Sequence, residues 1–377
     1  MKILKIVTAF YPSSFYGGPA TVALNQAKEL VLRGHEVTIL TSNLLSFEKK
    51  YINKTEDCLF GIKIKYFNSK FTRKGFSYIN SSSLYNWIKK NGKLYDIVHI
   101  HFGREIIPCR VASLCKKEKF PYVLQTHGML NKRSLKNKLF DIFVTSELLK
   151  KAKYVLALQN VEKKRLLEIN KDINVEILYN GIKPSENKVL WSYDSIKNKK
   201  ILFLARLHPR KRVLDFIEMC KILSEKYNDL TFEIVGPDEG DLSEAMNRVD
   251  DLKLQDKVRF IGSVNVDKVS ELYAKSSVYV LPSLDEPFGM TVIEALNVGT
   301  PTVVTETIHI KSLLQDNNAS LIAKQNDPSD LASIVEMIIS NKEVACSLSD
   351  NGKKLVKQEL MISTICENIE RIYRGSI

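Results

Sequence analysis

Residues Ser283 to Pro301 read SLDEPFGMTVIEALNVGTP. The stretch opens with turn-forming residues, ends as a helix, and sets two carboxylates, Glu286 and Glu294, around an apolar patch. Just upstream, VYVL (Val278–Leu281) is a short apolar run stopped by Pro282, the pattern of a buried strand. Phe288-Gly289-Met290 then opens a helix that runs through Val298 and is closed by Gly299 as its C-terminal glycine. Glu286 therefore projects from a loop at the carboxyl end of a strand, and Glu294 lies about a turn and a half into the next helix. Its helix neighbours Val292, Ile293, Ala295 and Leu296 are apolar, so a buried Glu294 needs a hydrogen-bonding partner, for which ribose hydroxyls are suited. A turn acid and an exposed helix acid are the plain alternative, which accounts for either residue alone better than for both.

Outward from this stretch, apolar runs and helical patterns alternate along the chain. In the first half the strand patterns are Ile3–Thr8, Glu36–Thr41, Ile62–Phe67, Ile97–His101, Tyr122–Thr126, Tyr154–Leu158 and Val175–Leu178, with helical patterns between most of them. The polar segment Lys183–Lys200 (KPSENKVLWSYDSIKNKK) interrupts the rhythm, which restarts at Ile201–Ala205, Phe232–Val235, Val258–Ile261, Val278–Leu281 and Thr302–Val304. Leu331–Tyr373 reads as consecutive helices. Strands alternating with helices predict mostly parallel sheets covered on both faces. The expected architecture is α/β: a domain over residues 1–183, a linker over 184–200 and a second domain over 201–359, two doubly wound Rossmann-like bodies facing across a cleft. Ligands of such sheets sit beyond the carboxyl ends of the strands.

The composition, 44% hydrophobic and 26% charged over 377 residues, is that of a globular chain. No apolar run approaches the roughly 18 residues of a membrane span, and MKILKIVTAFYPSS reads as a first strand rather than a secretory leader. Six scattered cysteines without a C-x-x-C pair favour reduced thiols in a cytoplasmic protein. The net charge of +13 is uneven: residues 1–190 hold 33 Lys+Arg against 15 Asp+Glu, the remainder 23 against 28. A basic first half points to an anionic partner, or simply to a solvated basic surface.

Three further groups carry chemistry. Strand ILFLA ends at Arg206, and Lys211 follows across a turn containing Pro209, just before a helix starting near Val213. Two cations beside a helix N-terminus suit a diphosphate. Gly17-Gly18 follows the first strand and precedes a helix, where paired glycines permit close backbone approach to a ligand. His127, in QTHGML, follows a strand and adjoins a glycine. His99 and His101 share one face of a strand, but no third metal ligand lies at a telling spacing, and no Asp-x-Asp occurs anywhere.

Taken in order, Gly17-Gly18, His127, Arg206 with Lys211, and the E-x7-E of Glu286 and Glu294 resemble the family 4 retaining glycosyltransferases of the GT-B fold, over almost the whole chain. THGMLNKRSLKNKLFDIF further resembles members that build bacterial surface polysaccharides, and Tyr179-Asn180-Gly181 resembles the family's Asn-Gly turn closing the first domain. The resemblance implies that Arg206 and Lys211 hold the nucleotide diphosphate and that Glu294 binds the ribose. Glu286 would contact the donor sugar beside the backbone of Phe288, Gly289 and Met290. Gly17 and Gly18 would approach donor phosphates or acceptor, His127 the transferred sugar, and a helix over about 360–377 would pack back on the first domain. One departure stands: where the family carries Gly-Gly-x-x-Glu, this chain reads TETIHIKSLLQ.

The implied reaction moves a hexosyl unit from a UDP- or GDP-sugar to a glycan or polyprenyl-diphosphate-linked acceptor in capsule or O-antigen synthesis. Fixed cations would stand in for a metal, so no cofactor and no metal are expected. Lys132, Arg133, Lys136 and Lys138 crowd the start of a helix, where cations oppose the dipole. Docking on the anionic inner face of the cytoplasmic membrane would explain that cost. Alternatives are a nucleotide-sugar epimerase on the same scaffold and a non-catalytic sugar-nucleotide or carbohydrate-binding protein. Nucleic-acid binding lacks a recognised module, and nicotinamide chemistry lacks its glycine fingerprint after the first strand.

Overall fold

The computed structural model describes residues 1–13, 18–48, 50–130, 135–184 and 189–377. The chain forms two units, Met1–Gly181 joined by Ile362–Ile377, and Ile182–Met361.

In the first unit the strands are β1 (Lys2–Ile6), β2 (Glu36–Ser42), β3 (Glu56–Leu59), β4 (Ile62–Phe67), β5 (Lys70–Phe71), β6 (Ile79–Asn80), β7 (Ile97–His101), β8 (Tyr122–Gln125), β9 (Tyr154–Ala157) and β10 (Val175–Ile177). The helices are α1 (Gly18–Leu32), α2 (Ser82–Asn91), α3 (Ile106–Glu118), α4 (Leu135–Phe140), α5 (Ser146–Lys151) and α6 (Asn160–Ile169). Eight strands make one sheet in the order β10-β9-β8-β7-β1-β2-β4-β3, parallel except for β3 on β4, while β5 and β6 form a separate ribbon. The strands read as continuous apolar runs because both faces are covered. Alternation divides them: Ile3, Ile39 and Ile97 pack with α1, whereas Leu4, Leu40 and Val98 pack with α2, α3, α5 and α6. Lys5 falls on the α1 face and is fully buried there, donating to Gln26 Oε1 at 2.7 Å.

The second unit holds β11 (Lys200–Leu204), β12 (Thr231–Val235), β13 (Val258–Gly262), β14 (Val278–Leu281), β15 (Thr302–Thr305) and β16 (Leu321–Ala323). Its helices are α7 (Val213–Lys226), α8 (Leu242–Asp251), α9 (Val266–Ala274), α10 (Met290–Val298), α11 (Lys311–Asp316), α12 (Pro328–Ser340) and α13 (Lys342–Leu355). The sheet is wholly parallel, in the order β13-β12-β11-β14-β15-β16. This is the doubly wound arrangement, with its strand order reversing between β11 and β14. Helix α7 packs with α8 and α12, and α10 with α9 and α13.

The last helix, α14 (Ile362–Arg374), belongs to the first unit and buries Ile362, Ile365, Cys366, Ile369, Ile372 and Tyr373 beside α1. Among the described residues, no helix is long and apolar enough to cross a membrane.

The expected linker 184–200 is corrected by the structure: what is described of it belongs to the second unit. Trp191 is buried, its backbone N–H donates to Val298 O at 3.0 Å and its indole N–H to Ser276 O at 3.1 Å. Ser195 Oγ donates to Ala274 O at 2.7 Å. A polar composition hid a segment anchored by one tryptophan and one hydroxyl, so the first unit closes at Gly181 and resumes at Ile362, close to the expected 183 and about 360.

Candidate active site

In the second unit, the loops leaving β11 and β14 meet at the point where the strand order reverses, the crevice in which doubly wound sheets hold ligands. Leu284 N–H donates to Arg210 O at 2.7 Å, fastening one loop to the other. Lys211 Nζ then donates to Glu286 Oε2, with only 17% and 12% of the two side chains exposed. Glu286 Oε1 accepts from Gly289 N–H at 3.0 Å. Gly289 precedes α10 in the left-handed region at φ 73°, which a Cβ would strain. The structure thus brings Lys211, Glu286 and Gly289 together as one contact chain at the N-terminus of α10. Phe288 beside it is buried, and Met290 is the first residue of α10.

Arg206 points elsewhere. Its Nη1 donates to both carboxylate oxygens of Glu239 at 2.8 Å, and 60% of its side chain is exposed. Glu239 stands on the loop after β12, a residue that reading the sequence passed over. That loop is pinned by Gly236, at φ 145°, where an added Cβ would lie 1.9 Å from Ala205 O. Glu294 sits within 3.5 Å of the Tyr273 hydroxyl, and burial pushes its carboxyl up to about 7, the Tyr273 hydrogen bond opposing. Its hydrogen-bond partner is thus Tyr273 of α9, not the Lys211–Glu286 pair.

The segment that departs from the family pattern is stitched into the same loops. Thr305 Oγ1 donates to Ser283 O at 2.6 Å, and His309 N–H to Glu286 O at 2.9 Å. Hydroxyls and one backbone donor fix the loop where glycines would have let it approach.

In the first unit, His127 is half-buried at φ 52°, followed by Gly128 at φ 74°. Glu162 holds this turn: its Oε1 accepts from Thr126 Oγ1 at 2.7 Å and from Gly128 N–H at 2.6 Å. The sequence signal was present, because Gln159 caps α6 by accepting from Glu162 N–H at 2.8 Å, a Q-x-x-E variant of the capping box. His127 Nε2 lies 2.8 Å from His101 Nδ1, and the rings of His99, His101 and His127 stack in series, with centroids 4.8 and 5.0 Å apart. Burial first, and the Lys5 charge second, push His127 down to about 3, so it is a neutral hydrogen-bonding group. Among the described residues no three His, Cys, Asp or Glu side chains are placed to hold a metal.

Gly18 is exposed at the start of α1, and a Cβ there would meet nothing within 4 Å. Gly17, Lys132 and Arg133 lie outside the described residues, as does the side chain of Lys136; Lys138 is exposed. A further acid, Glu105, went unread in the sequence. Thr8 Oγ1, from the loop after β1, donates to Glu105 Oε2 from the loop after β7. This bridges the place where the first sheet's order reverses, and burial raises the Glu105 carboxyl to about 7 despite the Thr8 bond. Beside it lies a cavity of about 800 Å³, lined by Gly103, Arg104 and Glu105 from one side and Asn137, Phe140 and Val144 from the other.

Solved structures that match the full chain have the GT-B fold, two Rossmann-like domains, and this chain shares it. The Anabaena protein Alr3699/HepE, crystallised with UDP, matches with a TM-score of 0.78 at 18% identity over 100% of both chains. The chain belongs to the family 4 glycosyltransferases: residues 16–186 match the Glycosyltransferase Family 4 model and residues 192–355 the Glycosyl transferases group 1 model. Among its relatives, the N-acetyl-alpha-D-glucosaminyl L-malate synthase of Bacillus anthracis is 25% identical over 98% of this chain and 96% of its own. The O-antigen chain mannosyltransferase RfbU of Salmonella typhimurium is 30% identical over 58% of this chain and 62% of its own. The protein is a glycosyltransferase related to bacterial enzymes of this type.

Proposed function

We propose that the protein is a retaining hexosyltransferase that uses a UDP- or GDP-sugar and extends a glycan or lipid-linked oligosaccharide in cell-surface polysaccharide synthesis, at the anionic inner face of the membrane. The observation that carries this reading is the Lys211–Glu286–Gly289 contact where the loops after β11 and β14 meet. A cation, an acid and a helix N-terminus converge where such a sheet binds nucleotides. Support for the donor and pathway comes from the solved HepE structures in complex with UDP and with UDP-glucose, and from the O-antigen mannosyltransferase relative.

In this reading the sugar–phosphate bond breaks with its electron pair passing to the diphosphate. Lys211 and Arg206 gain strength as that charge develops, which lowers the barrier rather than merely tightening binding. Arg206 exchanges Glu239 for a phosphate oxygen when donor enters. The acceptor hydroxyl attacks on the departing face and hands its proton to the leaving phosphate. Glu286 has one oxygen on Gly289 N–H and the other on Lys211. It is engaged as an acceptor, which suits gripping sugar hydroxyls better than attacking C1. The two cations take the charge-neutralising part that a metal ion plays in other transferases, and no cofactor is called for.

The test is a thermal-shift series with UDP and GDP, followed by turnover and NMR assignment of the product anomer. One nucleotide diphosphate should raise the melting temperature of the wild type, and Lys211→Ala should abolish most of that shift and lower kcat by about 10²–10³. An unchanged shift in both Lys211→Ala and Arg206→Ala, or an inverted anomer, defeats the reading.

A further inference from the structure

Between α4 and α5 the chain makes a π-helical turn, Asp141–Thr145. Its inner side is fixed: Arg104 Nε and Nη2 donate to the two oxygens of Asp141 at 2.9 and 2.6 Å, and Leu148 and Leu149 enter the core. A π turn carries an extra residue, which widens the opposite side. Four apolar side chains of this stretch are exposed, Leu139 to 49%, Phe140 to 36%, Ile142 to 65% and Phe143 to 77%. Two other exposed aromatics of this unit have cover: Phe60 lies under the Lys28 ammonium at 3.3 Å, and Phe47 stacks on Phe71 at 5.8 Å. Exposed Lys138 precedes the cluster in the chain and exposed Lys150 and Lys151 follow it, Lys150 paired with Asp172 at 2.8 Å and the acid Glu147 with Lys116 at 3.5 Å.

We propose that residues 139–143 form a docking face that inserts into the interfacial layer of an anionic bilayer. Aromatic and aliphatic side chains with lysines before and after them in the chain match that layer in both polarity and charge. A partner protein would explain the apolar cluster, but not why it sits in the half of the chain with 33 basic against 15 acidic residues. Position adds a reason. Asn137, Phe140 and Val144 of the same helical segment line the cavity of about 800 Å³ that also holds Glu105. A face seated among headgroups sets that cavity beside them, where an acceptor carried on a lipid presents its sugar. The inference deepens the membrane part of the proposed function by naming the face that makes the contact, and it rests on the transferase reading for the last step, while bilayer binding is measured without turnover.

The test is co-sedimentation of the full chain with vesicles of phosphatidylcholine alone or mixed with phosphatidylglycerol, at low salt, for wild type and Ile142→Ser/Phe143→Ser. Both residues are surface groups outside the donor site. Wild type should bind the anionic vesicles and spare the neutral ones, and the double variant should bind at least roughly tenfold more weakly. The nucleotide-dependent thermal shift should be the same in both proteins. Equal binding of wild type and variant, equal binding to both vesicles, or no binding overturns the proposal. So does a wild-type dimer that the double variant turns into a monomer, which would assign the face to a second copy.

Discussion

If Glu294 meets the ribose as proposed, one carboxyl ties recognition to pH. Burial holds it protonated up to about 7. Ribose hydroxyls donate best to the ionised form, so a nucleotide diphosphate pays for deprotonation below that point. Affinity should climb from about pH 6 to about pH 8 and then level off. Glu294→Gln should flatten the climb, as read by calorimetric titration across that range. A wild type with level affinity would remove Glu294 from the ribose. Stability responds with the opposite sign. The folded chain keeps a proton that the unfolded chain releases above the ordinary carboxylate range, so this group's stabilisation is complete in acid and fades as pH rises through about 7. The position of the two acids was legible because E-x7-E puts them on a strand–loop–helix junction. Two other acids were not. Glu239 and Glu105 become meaningful only when the fold brings distant loops together, at Arg206 and at Thr8.

Elements determine where those side chains can go, and the loop after β12 does so through one residue. At Gly236 a methyl group would collide with the Ala205 carbonyl, 1.9 Å away, in the strand end that leads to Arg206. Backbone cannot swing aside as a flexible side chain can. Gly236→Ala should therefore cost on the order of 3 kcal/mol and weaken nucleotide binding together with stability, both measurable by denaturant titration with and without nucleotide. Full stability in that variant would mean that the two loops can separate freely. At this scale the long parallel strands were readable from apolar runs, and Ile62–Phe67, Ile97–His101 and Val278–Leu281 match residue for residue. The elements left unread are short or lie at a sheet edge: β3 with two acids in four residues, the two-residue strands β5 and β6, and three-residue β16. Too few side chains alternate there to leave a pattern. The π turn was also invisible, because its helical hydrophobicity is ordinary and only its exposure is not.

At the scale of the molecule, the terminal helix is the informative piece. Its buried residues follow i, i+3, i+4, i+7 spacing and face α1, with Glu370 held by Arg33 Nε at 3.0 Å and by His35 Nε2 at 2.8 Å. Tyr373 closes the contact on His99 Nδ1 at 2.5 Å. A chain ended at Met361 would bare the α1-side core of the first unit while leaving residues 182–361 intact. It should lose the cooperative unfolding of the first unit, or precipitate, and a fragment of residues 182–361 should melt as a single transition by calorimetry. Normal folding of the shortened chain would make the helix an appendage.

The arrangement has a consequence for how the protein comes into being. Ile182 N–H donates to Leu360 O at 2.8 Å, so the second unit begins and ends at one spot and can close as soon as it has been synthesised. The first unit leaves the ribosome earliest but waits for residues 362–377, translated after the whole second unit, to roof its sheet. The unit begun first is thus completed only after the second, and a stop before residue 362 damages the beginning of the fold.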